Sequence, residues 1–184
     1  MNNSMKSLWE NLHKQNRFRP KYPAETIVQF VFRNFDREKS NKILDLGCGA
    51  GRHVYFMASE NIDAYGIDIS KDGVEYTEKI LKNSGLSANV KVASVDNIPY
   101  EDNYFDGIVS YGVLYYCKMN EIKKSVSEIR RVLKPGGKAL LVVRNTKDYR
   151  YGNGQEIEKN TFVINEENSN KCAFNENGMH MHFF

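Results

Sequence analysis

The fold can be read outward from ILDLGCGAGRH, residues 43–53. Lys42 to Leu46 is a short apolar run ended by glycine, the mark of a strand buried on both faces. The loop that follows, Gly47-Cys48-Gly49-Ala50-Gly51, lets the backbone turn tightly and approach a ligand with no Cβ in the way. Arg52 to Asn61 then suits a helix, with Val54, Met57 and Ala58 facing inward. Strand, glycine loop and helix start in that order present backbone N–H groups at the strand's carboxyl end.

The alternation continues on both sides. Ala64 to Asp68 is a second strand, and Ser70 can cap a helix running to about Asn83, with Gly85 as a natural stop. Val90 to Val95 alternates apolar and polar residues as a third strand, and Asp106 to Ser110 is a fourth. Asn120 can cap the clearest helix, whose stripe is Ile122, Val126, Ile129 and Val132 or Leu133. LKPGG, residues 133–137, then breaks it, and Lys138 to Val143 is a fifth strand. Upstream, Pro23 opens a helix that puts Ile27, Val31 and Phe35 on one face. Strands alternating with helices imply right-handed βαβ units, hence an α/β, doubly wound, mostly parallel sheet covered on both faces. One domain is expected: an N-terminal helical lid at 1–40, a core at 41–145, and a flap or C-terminal hairpin at 146–184.

A length of 184 residues fits one domain, and the 41% hydrophobic fraction can build its core. Lys plus Arg less Asp plus Glu is 26 − 23 = +3, too mild for a dedicated nucleic-acid binder. The excess sits in the arm, since residues 1–40 carry +4 and residues 41–184 carry −1. That arm reads as a solvated helix end, a phosphate contact, or a lid bringing Arg17 or Arg19 to an anionic group. Mean hydropathy is −0.59, and no apolar run approaches the ~18–20 residues of a membrane helix. The opening MNNSMKSLWENLHKQ has no apolar segment of a secretory signal. Cys48, Cys117 and Cys172 are widely spaced and odd in number, so neither a disulfide framework nor a zinc site is expected, and a reducing cytoplasm is the simplest home.

Ligands of open parallel sheets bind beyond the carboxyl ends of the strands. Those ends carry the glycine loop, Asp68, Ser94-Val95-Asp96, Ser110-Tyr111-Gly112 and Arg144. The mixture suits a nucleoside ligand. Asp68 can accept from both hydroxyls of a ribose, or simply cap a helix. The rival reading is a dinucleotide site, G-x-G-x-x-G/A, but the last small position is occupied by Arg52, which counts against a nicotinamide-dependent oxidoreductase.

Four segments, ILDLGCGAGRH at 43–53, GIDIS at 66–70, NIPYEDNYFDGIVS at 97–110 and RVLKPGGKALL at 131–141, stand in an order and spacing that resembles the class I S-adenosylmethionine-dependent methyltransferases over about residues 40 to 145. The resemblance implies a Rossmann-like seven-stranded sheet with a reversed last strand, bound S-adenosyl-L-methionine, methyl transfer, and S-adenosyl-L-homocysteine as product. Carried onto this chain, it implies that Asp45, Gly47, Cys48 and Gly49 frame the loop under the methionine part. Asp68 would hold the ribose and Ile69 pack on the adenine, with Ser94 and Val95 at the adenine edge. The family carries an acid or amide where this chain has Ser94, and Asp96 can supply that acceptor instead. Ser110 and Tyr111 match the segment beside the sulfonium, and Arg17 is the arm's candidate contact.

The acceptor is expected to be a small molecule rather than nucleic acid. No Asn/Asp-Pro-Pro-Tyr follows the fourth strand, which argues against amide or adenine amino groups. Candidate catalytic residues are Tyr111, Tyr115, His53 and Arg144. The tyrosines, with Tyr116, either line an aromatic acceptor pocket or pack on the next helix, and Arg144, with Arg150 nearby, can grip a carboxylate or phosphate. His53 is a pocket base or a structural histidine. His180 and His182 share a face on a strand, as a base or acceptor clamp more than as metal ligands, and no metal is expected. TFVIN at 161–165 and MHMHFF at 179–184 form either the family's last hairpin or, the favoured reading, a flap in a chain that stops before the last helix and strand pair. A sheet edge left uncovered would then make the chain unstable, dimeric or inactive. A cofactor-binding protein that does not methylate is the alternative function.

Overall fold

The computed structural model describes residues 3–165 and 176–184. Two helices come first, α1 (Asn3–His13) and α2 (Glu25–Asn34), followed by β1 (Lys42–Leu46) and α3 (Arg52–Ser59). Next are β2 (Asp63–Asp68), α4 (Lys71–Asn83), β3 (Asn89–Val92), β4 (Phe105–Tyr111), α5 (Met119–Val132) and β5 (Leu133–Val142). Three short strands close the chain, β6 (Gln155–Glu158), β7 (Thr161–Val163) and β8 (His180–His182).

The central sheet has five strands in the order β3-β2-β1-β4-β5, all parallel. β1 lies in the middle, and its alternation explains its unbroken apolar reading. Ile43 joins one core with Ile27, Val31 and Phe35 of α2 and Val54 and Met57 of α3. Leu44 and Leu46 point the other way, into a core with Phe105, Ile108 and the Ile122, Ile129 and Val132 stripe of α5. The order reverses between β1 and β4, the switch point at which such sheets hold ligands.

Several boundaries differ from the sequence reading. β3 ends at Val92 rather than Val95, because Ala93 N–H goes to the Asp68 carbonyl (2.9 Å) and the chain turns. α5 starts after Lys118, whose N–H is accepted by Glu121 (2.9 Å), so Asn120 lies inside the first turn. LKPGG does not precede the fifth strand but interrupts it. Phe105 pairs with Leu133 and Gly107 with Lys138, so the residues between are looped out.

The implied seven-stranded sheet is not formed among the described residues. TFVIN and MHMHFF do pair, Thr161 with His182 and Val163 with His180, but within a separate antiparallel sheet, β6-β7-β8. Its apolar side chains Phe162, Met179, Met181 and Phe183 meet Met5 and Leu12 of α1 and Tyr116 to form a third core. Arm and C-terminal sheet thus share one hydrophobic cluster. No helix among the described residues is long and apolar enough to cross a membrane.

Both covering pieces are fixed by carboxylates placed on helix starts. Glu10 accepts from the N–H groups of Lys71 (2.9 Å) and Asp72 (3.1 Å) and from the Ser70 hydroxyl (3.2 Å), at the beginning of α4. Glu158 of β6 accepts from Met119 N–H (2.6 Å), at the beginning of α5. Unpaired N–H groups and the helix dipole both favour a negative charge there. For Glu10, partial burial raises the pKa, but the hydrogen bonds outweigh it and pull the carboxyl down to about 2. A depressed carboxyl adds stability that is full above its ordinary value and lost as pH falls toward its folded value. Trp9, the only tryptophan, neighbours Glu10 and reports on the arm. Its emission should stay blue-shifted at neutral pH and move to the red between about pH 4.5 and pH 2. In Glu10→Gln the red shift should already be present at pH 7; unchanged emission would show that the arm does not depend on this contact.

Candidate functional site

A cavity of about 160 Å³ opens at the carboxyl ends of β1, β2 and β4, beneath the arm and the third core. Its floor is the glycine loop. Gly47, Gly49 and Gly51 all have positive φ, the region that side chains resist. The missing Cβ atoms also make room for protein: one on Gly47 would lie 2.4 Å from Val113, and one on Gly51 2.4 Å from Thr77. At Gly49, where ligand space is expected, the nearest group is the His13 ring, with Nε2 at 3.2 Å from such a Cβ.

Of the residues the sequence singles out, Gly47, Cys48, Gly49, His53, Asp68, Ile69, Val95 and Tyr111 line the cavity together. Asp68 is 7% exposed, and its two oxygens accept from Gly49 N–H (2.7 Å) and Ser70 N–H (2.8 Å). It therefore ties loop to helix while facing the cavity. Asp45 lies behind the loop, 1% exposed, and neither carboxylate oxygen has a hydrogen bond. His53 Nδ1 approaches Asp45 at 3.5 Å, an ion-pair distance without hydrogen-bond geometry.

The two carboxylates act on what lies between them. Burial pushes the Asp68 carboxyl up, the His13 ring and the two N–H bonds pull it down, and Asp45 pushes it up again, with a net rise. Burial and the charges of Asp68 and Asp45 also raise the Cys48 thiol well above its usual range. The floor of the cavity is thus a desolvated region of negative potential, which favours a cationic ligand.

The remaining candidates lie off the cavity lining. Ser110 is buried, with its hydroxyl on the Leu46 carbonyl (3.2 Å). Ser94 hydrogen-bonds Asp96, whose carboxyl is pushed up by burial but held low by that bond. Arg17 is exposed and stacks on Phe18, its guanidinium 4.6 Å from the ring centroid. Tyr115 and Arg144 belong to a charge network at the end of β5: Arg144 meets Asp148 (3.2 Å), Glu176 (3.9 Å) and the Tyr115 hydroxyl (3.4 Å). Arg150 meets the same two carboxylates, at 3.5 and 3.7 Å, and Tyr116 donates to Glu176 (2.9 Å). Two guanidinium groups face two carboxylates, so the expected anion clamp is neutralised from within.

His53 is committed as well. Its Nε2 accepts from Ala24 N–H (3.3 Å) just before α2, and its Nδ1 faces Asp45, which suits a positioning histidine better than a proton carrier. His180 and His182 sit on β8 away from the cavity. His182 Nδ1 meets the Thr161 hydroxyl (2.7 Å), and burial lowers both imidazoles, keeping them neutral. Cys172 lies outside the described residues, and among those described no cluster of three metal-ligating side chains occurs.

Sequence reasoning missed two lining residues as site groups, Arg52 and His13. Arg52 reaches the cavity from the first turn of α3, its guanidinium 5.1 Å from the Tyr111 ring centroid. Trp9 and His13 come from α1, one helical turn apart, and their rings are 5.9 Å apart. Their spacing on α1 was the available signal. Of the arm aromatics Trp9, Phe18 and Tyr22, the first two line the cavity and Tyr22 is 73% exposed.

Comparison with known proteins places this geometry. Residues 43–137 match the methyltransferase domain family. A sterol 4-C-methyltransferase of Caenorhabditis elegans, strm-1, is 33% identical over 118 residues, which are 62% of this chain and 35% of that protein. The ubiquinone biosynthesis O-methyltransferase of Pelagibacter ubique is 30% identical over 136 residues, 73% of this chain and 55% of its own. The chain therefore spans about half or less of the length of these curated relatives. Among solved structures, a SAM-dependent methyltransferase from Methanosarcina mazei superposes with a TM-score of 0.71 at 25% identity, over 84% of this chain and 77% of that one.

The thiol chemistry gives a direct check on the burial at the loop. Cys48 is raised as described, and burial with the nearby acids pushes Cys117 up to about 12. In a Cys172→Ser background, neither thiol should react with Ellman's reagent at pH 8 until denaturant is added. Rapid labelling of the native protein would mean that the loop is open to solvent.

Proposed function

The chain belongs to the methyltransferase domain family, and on that premise we propose that it binds S-adenosyl-L-methionine and transfers the methyl group to a small-molecule acceptor. The observation that carries the reading is the pair of buried carboxylates, Asp45 and Asp68, under the glycine loop. Asp45 has no hydrogen bond and lies behind the loop rather than on the lining, so its charge acts through the loop on whatever the cavity holds. A ligand bearing ammonium and sulfonium charges suits that field. The pyrophosphate of a dinucleotide would stand against the same field, which supports this reading over a nicotinamide-dependent one.

In this reading the cavity is polarised along its length. Asp68, with Ile69 and Val95 beside it, is the nucleoside end, and Ser94 with Asp96 borders the adenine edge. Gly47, Cys48 and Gly49, with the Asp45 charge behind them, form the seat of the amino-acid part, and Arg52 takes the anion-binding role first sought in Arg17. When bound, the sulfonium cofactor supplies a methyl group already activated for in-line displacement. The protein's work is then to align the nucleophile and keep water out. Trp9, Phe18, Tyr111 and Tyr116 provide apolar walls for the acceptor, and Glu10 and Glu158 hold the arm and the C-terminal sheet over it. Residues 1–40 act as a lid and the C-terminal sheet as a flap; a roofed cleft suits a small acceptor better than a polymer.

The test is binding followed by loss of binding. S-adenosylhomocysteine and S-adenosylmethionine should raise the thermal midpoint where NAD does not. Asp68→Ala should cost about 2–4 kcal/mol of affinity by calorimetry, from two hydrogen bonds to a charged acceptor. A midpoint raised by NAD alone would overturn the proposal.

A further inference from the structure

His13 is a polar side chain of the cavity to which the reading above gives no work. It ends α1, is 7% exposed and lines the cavity. Its Nδ1 packs against Gly73, buried and without a hydrogen-bond partner, while its Nε2 lies on the Gly49 side, toward the glycine loop. Two glycines keep its seat open. A Cβ on Gly73 would lie 2.8 Å from Nδ1, and one on Gly49 3.2 Å from Nε2.

The ring is also held there. Arg19 Nε donates to the His13 carbonyl (2.7 Å), Trp9 tilts against the imidazole, and Glu10 fixes the same helix to the start of α4. His13 is close enough to Asp68 to pull that carboxyl down. A ribose diol that donates both protons to Asp68 still has oxygen lone pairs that need a donor, and an imidazole N–H supplies one.

We infer that His13 is a cofactor-binding residue, hydrogen-bonding the ribose hydroxyls that donate to Asp68, so that the arm forms the third side of the ribose seat with Asp68 and Gly49. The inference rests on the proposed cofactor. It also gives arm and cofactor a shared contact, so that binding of one favours closure of the other.

The test is calorimetry with two ligands, S-adenosylhomocysteine and its 2′,3′-dideoxy analogue. His13→Phe keeps a ring beside Trp9 but removes both nitrogens, and should weaken S-adenosylhomocysteine about fivefold to twentyfold. The same substitution should leave affinity for the dideoxy analogue within about twofold, because one partner of the lost bond is already gone. His13→Ala, which adds no bulk, should repeat the pattern. In the unmutated protein, the ring ¹⁵N shifts of His13 should move on binding S-adenosylhomocysteine and stay in place with the analogue. Equal weakening of both ligands would reduce His13 to arm packing and overturn the inference, as would unchanged affinity or unmoved shifts. If the unmutated protein binds neither ligand, the functional reading falls and carries this inference with it.

Discussion

One carboxylate joins the parts on which the site is built. Asp68 ends β2, and its two oxygens accept from the glycine loop after β1 and from the turn that starts α4. Loop and helix start are therefore held at a fixed separation by the same group that faces the cavity. Ser70 extends the chain of contacts, since its side chain accepts from Gly73 N–H and donates to Glu10 on the arm. From β1 to the arm, each contact depends on the one before it. The cost is a buried charge next to a second one, Asp45, and the site bears that cost where a cationic ligand would relieve it.

Covering such a site requires elements that the parallel sheet does not supply. Here they come from opposite ends of the described chain and solve the problem alike. Each places an acid on the exposed N–H groups of a core helix, Glu10 on α4 and Glu158 on α5, and each contributes apolar side chains to a common cluster. The carboxylates fix position, and the cluster provides the hydrophobic burial that a short helix and three short strands would lack alone.

The core was legible because its signals are local. β1 follows from a short apolar run ended by glycine, β2 lies after it where the sequence reading puts it, Ser70 does cap α4, and four motifs in register carried the family. The failures have physical causes. β5 starts at Leu133, the first residue of LKPGG, because pairing with Phe105 is a tertiary contact that no window of sequence contains. Arg144 reads as a free clamp until Asp148, Glu176 and Tyr115 surround it. His13 and Arg52 become cavity residues only when α1 and α3 are placed, although both lie in segments whose helices or motifs could be read. Burial of Asp45 was visible in its apolar strand; its lack of a hydrogen bond was not.

The third core has a consequence for how the chain folds. Met5 and Leu12 must wait for Phe162, Met179, Met181 and Phe183, which lie near the far end of the sequence. The central sheet needs only the residues between, and most of its contacts span a single βαβ unit. Loop closure over so long a separation is paid in entropy before any apolar surface is buried. All residues of the glycine loop and the central sheet therefore leave the ribosome before Phe162, Met179, Met181 and Phe183 of the third core. Among the described residues, the cluster over the cavity is the one whose members lie furthest apart in sequence.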